Sequence, residues 1–147
     1  IHRVLNPGGQ VYLTTKNRFA LRYLLGGRDE HLAQMRFGSA LPRFLSRGWL
    51  WMRGKKSAGW LHSWGGLKRM LEAAGLQTVR SYWAAPEMRY PEKYIEASAE
   101  AIREARREGN FSQGDTRLSR LAMRLLPASL VRYFTPGLAF VAQRPRS

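Results

Sequence analysis

The stretch RVLNPGGQVYLTTKN (residues 3–17) combines the end of a helical pattern, a tight turn and a short strand. The NPGG segment at residues 6–9 predicts the turn, because proline presets one backbone angle and glycine tolerates a positive φ. The β-branched and aromatic run that follows, residues 11–15, is typical of a buried strand. Val4 and Leu5 close a periodic segment whose earlier turns are not in the sequence. We therefore expect the chain to be part of a longer α/β protein.

The composition indicates one folded domain across residues 1–147. Hydrophobic residues make up 44% of the chain, and five Trp, six Tyr and six Phe argue against disorder. The absence of cysteine excludes disulfides and thiol chemistry. No apolar run reaches the ~18 residues that a membrane-spanning helix needs. These features predict a cytoplasmic protein, with peripheral association with a membrane as a further possibility.

The charge is strongly basic. The chain has 25 Lys and Arg against 10 Asp and Glu, a formal net charge of +15. Such a charge attracts polyanions, which include nucleic acid, anionic lipid headgroups and phosphorylated substrates. The alternative is that the arginine content is a compositional bias without a binding role.

Residues 18–60 predict an insertion or a lid. A short helix-like run at residues 18–26 is followed by an irregular segment in which aromatic and basic side chains alternate. Three interpretations are open: aromatics packed inward, a stacking surface for nucleic acid, or a contact with a membrane interface. The pattern favours inward packing.

The segment SWGGLKRMLEAAGL (residues 63–76) predicts an amphipathic helix. Ser63 can cap its start, and Gly75 supplies a left-handed residue at its end. The alternating pattern of residues 77–83 then predicts a strand. One apolar stripe runs along the helix, with members Leu67, Met70, Leu71 and Ala74.

Residues 91–134 predict a helical insertion before a last strand at residues 138–142. Pro91 is expected to open a helix that ends near Arg107. Asp115 or Thr116 is expected to cap another. The apolar stripe of that helix is expected to pack on the sheet, although its flanking arginines also fit a helix lying on a membrane. The members of the stripe are Leu118, Leu121, Ala122 and Leu125.

Three segments of the chain, taken in order, resemble the C-terminal half of class I S-adenosylmethionine-dependent methyltransferases. They are the PGG turn with its strand, the SWGGLKRMLEAAGL helix with its strand, and the terminal LAFVAQRP. The resemblance covers residues 1–19, 60–85 and 136–145. It implies an α/β fold. In this fold the C-terminal strands form part of a Rossmann-like methyltransferase sheet, and helical insertions lie between them. It also implies that the last strand inserts antiparallel between the two earlier strands.

The same resemblance implies a methyltransferase that uses S-adenosylmethionine. The glycine-rich loop of the family precedes the matched segments, and no such loop occurs here, so the cofactor is expected to be bound mainly by a preceding half. We expect no cofactor-binding residue in this segment, and the fragment alone to be inactive. The acceptor is expected to be an anionic small molecule, a glycan or a lipid.

Candidate substrate-binding residues follow the predicted strands, where ligands bind in open α/β sheets. Alternatives remain for each: Asn17 turns the chain, His62 is structural, and the loop at residues 85–91 caps the next helix. The pattern assigns no catalytic residue, and the three histidines lack metal-ligand spacing. The candidates are Asn17 and Arg18 after the first strand, His62 and Trp64 at the start of the next helix, and Glu87, Arg89 and Tyr90 in the loop bracketed by prolines.

A second class of function is also open. The chain can be a basic binding module for nucleic acid or for an anionic membrane surface, without catalysis. Binding of S-adenosylmethionine discriminates between the two classes, because only the enzyme requires it.

Overall fold

The computed structural model describes residues 2–85, 88–109 and 117–146. A 3₁₀ turn at His2–Val4 precedes the first strand, and a second one, Glu30–Leu32, lies between two short strands. The remaining elements, in chain order, are β1 (Gln10–Lys16), α1 (Leu21–Leu24), β2 (Arg28–Asp29), β3 (Met35–Arg36), α2 (Arg43–Met52), α3 (Trp64–Ala73), β4 (Gln77–Ala85), β5 (Lys93–Glu96), α4 (Ala99–Arg107), α5 (Arg117–Leu125), α6 (Ala128–Val131) and β6 (Gly137–Gln143).

Four strands form the central sheet, in the order β1-β6-β4-β5, and every neighbouring pair is antiparallel. The last strand, β6, lies between β1 and β4: Phe140 faces Leu13 on one side and Ser81 on the other. This insertion of the last strand agrees with the sequence-based expectation. The described residues contain no parallel Rossmann-type sheet, so the fold is a mixed α/β fold and the finer assignment stays a prediction.

The turn before β1 forms as the NPGG segment predicts. Gly8 has a φ of +78°, a conformation that side chains disfavour. The Gly9 N–H donates to the Asn6 carbonyl at 2.8 Å. A Cβ on Gly9 would lie 2.8 Å from that same carbonyl oxygen, so the turn requires glycine at both positions.

The helix predicted at residues 63–76 is confirmed as α3. The Ser63 hydroxyl accepts the Gly66 N–H at 3.1 Å, and Gly75 ends the segment with a φ of +76°. Leu67 and Leu71 are buried against β1 and β6. Their burial fixes the helix on the sheet, whereas Met70 and Ala74, the other two members of the predicted stripe, are exposed.

The prediction of a helix that opens at Pro91 is wrong for its first part. Residues Lys93–Glu96 form β5, which pairs with the end of β4. The helix α4 begins only at Ala99, where the Ser98 hydroxyl accepts the Ala101 N–H at 3.2 Å. Residues 93–96 gain backbone hydrogen bonds by pairing with the free edge of β4. The helix then begins after Ser98, because the Ser98 side chain can cap it.

The packing predicted for α5 is also wrong. Leu118, Leu121 and Leu125 are 58%, 54% and 74% exposed, whereas Ser119 and Met123 are buried. Met123 fills the core beside α4 and α6, and this fit turns the leucines outward. The candidate caps Asp115 and Thr116 lie outside the described residues.

Both groups of helices cover the same face of the sheet. Trp83 of β4 packs with α4, α5 and α6, and Leu138 of β6 packs with α3. These two residues are register partners, and partners in an antiparallel pair point to the same face. The core therefore lies between one sheet face and a layer of helices.

The excursion between β1 and α3 folds around buried polar groups. The Asp29 carboxylate is fully buried and accepts the His31 N–H at 2.9 Å and the Ser39 hydroxyl. Two of the three aromatic side chains of α2 do not pack inward as favoured above: Phe44 and Trp51 are 72% and 82% exposed, whereas Trp49 is partly buried. The domain boundaries predicted for residues 18–60 and 91–134 stay predictions.

In the part of the chain that the structure describes, no helix is both long enough and apolar enough to cross a membrane.

Candidate functional site

Charged side chains gather at the carboxyl end of β1, where ligands bind in open α/β sheets. The Lys16 ammonium, at the end of the strand, lies 3.0 Å from the Glu30 carboxylate. Asn17 and Arg18 follow directly, and a single parallel bridge joins Asn17 to His62. The structure therefore brings three of the sequence-predicted residues together: Asn17, Arg18 and His62.

Asn17 is fully buried, and its amide is engaged inside the protein. Its Nδ2 donates to the Tyr133 carbonyl at 2.9 Å, and its Oδ1 accepts the Phe19 N–H at 3.1 Å. Both functional ends of the side chain thus hold the chain where it leaves β1. Asn17 ties β1 to the segment that precedes β6 and presents no surface to a ligand.

Arg18 links the end of β1 to the excursion that follows. Its Nε donates to the Ser39 carbonyl at 2.6 Å, and its Nη2 donates to the Leu41 carbonyl at 2.5 Å. Burial, with the charge of Arg43 in addition, lowers the pKa of Arg18. The Arg18 guanidinium therefore positions residues 39–41 and adds positive charge beside His62.

His62 is partly buried among cations. Its backbone carbonyl accepts the Arg18 N–H at 2.9 Å. Burial lowers the pKa of the His62 imidazole, and the charges of Arg43 and Arg18 lower it further. The side chain is therefore neutral at pH 7, and a neutral imidazole can accept a proton.

We expect this depressed pKa of His62 to make the stability pH-dependent. The folded state binds the His62 proton less readily than the unfolded state, so stability is complete above the usual pKa of about 6.5 and falls as the pH drops below it. The His62→Gln variant should therefore lose less stability than the original protein as the pH falls. Urea unfolding between pH 7.5 and pH 5 measures it; a His62 NMR titration midpoint above 6.5 would contradict the expectation.

Glu30 was missed by the sequence pattern, because it lies 14 residues from Lys16 and no short motif joins them. The hydrogen bond from Lys16 lowers the pKa of the Glu30 carboxyl, and the charges of Lys16, Arg89 and Arg22 lower it further. Glu30 is therefore ionised at neutral pH and is a poor base. Its one ion pair among the described residues is with Lys16.

The loop after β4 lies beside this cluster. Gly137 is the register partner of Lys16, and a Cβ on Gly137 would lie 2.9 Å from the Met88 Cβ, so the loop passes directly over the start of β6. Arg89 and Tyr90 are exposed there, and Arg89 is near enough to act on Glu30. Glu87, the third predicted residue of this loop, lies outside the described residues.

Trp64 belongs to the packing of α3. Its ring meets Tyr133 edge-on at 5.5 Å and Phe140 at 5.9 Å, and its Nε1 donates to the Ser81 hydroxyl at 3.3 Å. The Arg132 guanidinium lies over the ring at 5.0 Å from the centroid. Trp64 also lines an open cleft of about 260 Å³ between α3 and β4. These contacts engage the Trp64 ring in the packing of α3 against the sheet and the segment before β6.

The chemistry of the cluster suits an anion. Among the described residues, no group of three or more His, Cys, Asp and Glu side chains is placed to hold a metal ion. S-adenosylmethionine, which the resemblance implies, carries a positive sulfonium centre that the surrounding cations would repel. The cluster therefore disfavours the sulfonium end of that cofactor, whereas a carboxylate or phosphate matches its lysine and arginine donors.

A scan against models of protein families found no match to this chain, and searches of the curated proteins and of the solved structures found none either.

Proposed function

We propose that the chain is the C-terminal part of an S-adenosylmethionine-dependent methyltransferase with a Rossmann-like sheet, and that it holds an anionic methyl acceptor. One observation carries this proposal: β6 lies between β1 and β4 and is antiparallel to both. That strand order is the one the sequence resemblance implies, and the NPGG turn leads into β1 as it does in that family.

The outer edge of β1 supports the proposal. β1 is the first strand of the sheet order, and no described strand pairs with its outer side. A seven-residue strand with such an edge is a template for further pairing. In the proposed enzyme, preceding strands continue the sheet there and supply the cofactor site.

The charged cluster supports an anionic acceptor. Lys16, Arg43 and Arg89 surround the end of β1 with positive charge, and Lys16 is ion-paired with Glu30. These cations suit a carboxylate or phosphate on the acceptor, whether that group belongs to a small molecule, a glycan or a lipid. The neutral His62 imidazole is the group that can hold a proton given up by the acceptor. Positioning of the acceptor is the main contribution that methyl transfer asks of these residues.

The first test is cofactor binding. Calorimetry should detect saturable S-adenosylmethionine binding by the intact protein and none by residues 1–147 alone. Micromolar binding by the 147-residue chain would contradict the assignment of the cofactor site to a preceding half. No binding by the intact protein, together with steeply salt-dependent polyanion binding, would favour the basic binding module instead.

The second test addresses the acceptor. The intact protein is supplied with methyl-labelled S-adenosylmethionine and a small-molecule extract, and the labelled product should be retained on an anion-exchange resin. Arg89→Gln should raise the KM for the acceptor about tenfold with little change in kcat, since one charge-assisted contact contributes about 1.4 kcal/mol. Arg103→Gln, at an exposed position on α4, is the matched control. A neutral product, or equal effects of both changes, would contradict an anionic acceptor at this site.

A further inference from the structure

The helix α2 presents an apolar face away from the protein. Phe44, Trp51 and Met52 are 72%, 82% and 71% exposed. The opposite side is anchored: Ser46 and Leu50 are buried, and the Ser46 hydroxyl donates to the Gly38 carbonyl at 2.8 Å. The orientation of α2 is therefore fixed by the protein, and its exposed side chains are held outward.

These side chains form one continuous surface. At 100° per residue, Trp51, Phe44, Met52 and the half-exposed Leu45 fall within an arc of about 120°. Large exposed apolar surfaces of this kind mark sites of contact with a membrane or another molecule. A surface that holds Phe, Trp, Met and Leu together is what an interfacial helix presents to lipid.

The chain segment that carries this surface has basic residues and no acidic ones. Residues 31–71 contain no Asp or Glu. Among the described residues, no cation of α2 takes part in an ion pair. Arg43 and Arg47 instead lie over the Trp60 ring, at 5.7 and 5.6 Å from its centroid. The basic residues of this segment are Arg36, Arg43, Arg47, Arg53, Lys55, Lys56, Lys68 and Arg69.

We propose that α2 docks on an anionic phospholipid membrane, lying parallel to its surface. Phe44, Trp51 and Met52 enter the boundary between headgroups and acyl chains, and the flanking arginines and lysines contact the headgroup phosphates. The positive charge of these side chains favours an anionic membrane as the binding partner of α2. A second copy of the chain would bring the same cations and be repelled.

The shape of the surface separates a membrane from a nucleic acid. Single strands bind in basic grooves where aromatic rings stack on bases. On α2 the apolar side chains instead project from one convex helix face, and Met52 and Leu45 offer no ring for stacking. The proposal does not depend on the methyltransferase assignment, because binding to a vesicle requires neither cofactor nor acceptor.

Sedimentation with vesicles tests the proposal. The full-length protein should bind phosphatidylcholine vesicles that contain about 30 mol % phosphatidylglycerol, and bind pure phosphatidylcholine weakly. The variant Phe44→Ser/Trp51→Ser/Met52→Ser should lose at least about tenfold in vesicle affinity. Because these positions are exposed, its melting temperature should stay within about 2 °C of the original.

The helix α5 offers the matched control. Leu118, Leu121 and Leu125 are also exposed beside arginines, but α5 contains no aromatic side chain to anchor it at the headgroup boundary. Their joint replacement by Ser should therefore change vesicle affinity by less than about twofold. Brominated phosphatidylcholine should quench the fluorescence of the original protein, and Trp51→Phe should lose part of that quenching while still binding. The proposal is overturned if the original protein does not bind anionic vesicles. It is also overturned if the α5 variant loses the binding, or if the α2 variant loses only binding to a single-stranded oligonucleotide.

Discussion

Met123→Asp is expected to unfold the protein or to lower its free energy of unfolding by about 3–5 kcal/mol. Met123 is 1% exposed and lies in the cluster formed by Trp83, Ile102 and Val131. An aspartate there would be a charge without a partner in an apolar environment, and the removed side chain would leave a void. Thermal and urea unfolding followed by circular dichroism measure the effect.

Leu121→Asp is the control for this prediction, two residues earlier on the same helix. Leu121 is 54% exposed, so we expect its change to stay within about 0.5 kcal/mol. The apolar pattern of α5 alone predicts the opposite ranking, because Leu121 belongs to the stripe and Met123 does not. Strong destabilisation by Leu121→Asp with tolerance of Met123→Asp would show that α5 is turned the other way.

Asn17→Ala is expected to lower the free energy of unfolding by about 2–4 kcal/mol. The change leaves the Tyr133 carbonyl without its Nδ2 donor and the Phe19 N–H without its Oδ1 acceptor, at a fully buried position. Each unsatisfied buried group costs about 1–3 kcal/mol. In a domain of this size that corresponds to a fall in melting temperature of about 6–12 °C.

Asn6→Ala is the matched control, because Asn6 is exposed in the turn before β1 and contributes its backbone carbonyl to that turn. We expect it to change the free energy of unfolding by less than about 0.5 kcal/mol. If Asn17→Ala were equally mild, the amide of Asn17 would not be the link between β1 and the segment before β6. If Asn17→Ala lowered the activity of the intact protein without lowering its stability, Asn17 would again be a candidate residue for binding the acceptor.

Short-range signals determined several elements of this protein from the sequence alone. The NPGG turn, the Ser63 cap with the Gly75 ending, and the strands β1, β4 and β6 each follow from residues within one segment. The resemblance of three such segments also predicted that β6 lies between β1 and β4. Each of these features depends on local backbone preference or on a pattern shared by a family.

Only the tertiary structure decided which apolar surfaces are buried and which charges meet. Residues 93–96 became a strand because the edge of β4 was available to pair with them. The leucines of α5 and two aromatics of α2, Phe44 and Trp51, face outward. The inward contacts of these helices are instead made by Met123 in α5 and by Ser46 with Leu50 in α2. Glu30 reached Lys16 through the folding of the excursion after β1. Hydrophobic periodicity identifies the apolar face of a helix. Whether that face is buried depends on a partner surface elsewhere in the fold, and the sequence of the helix does not specify that surface.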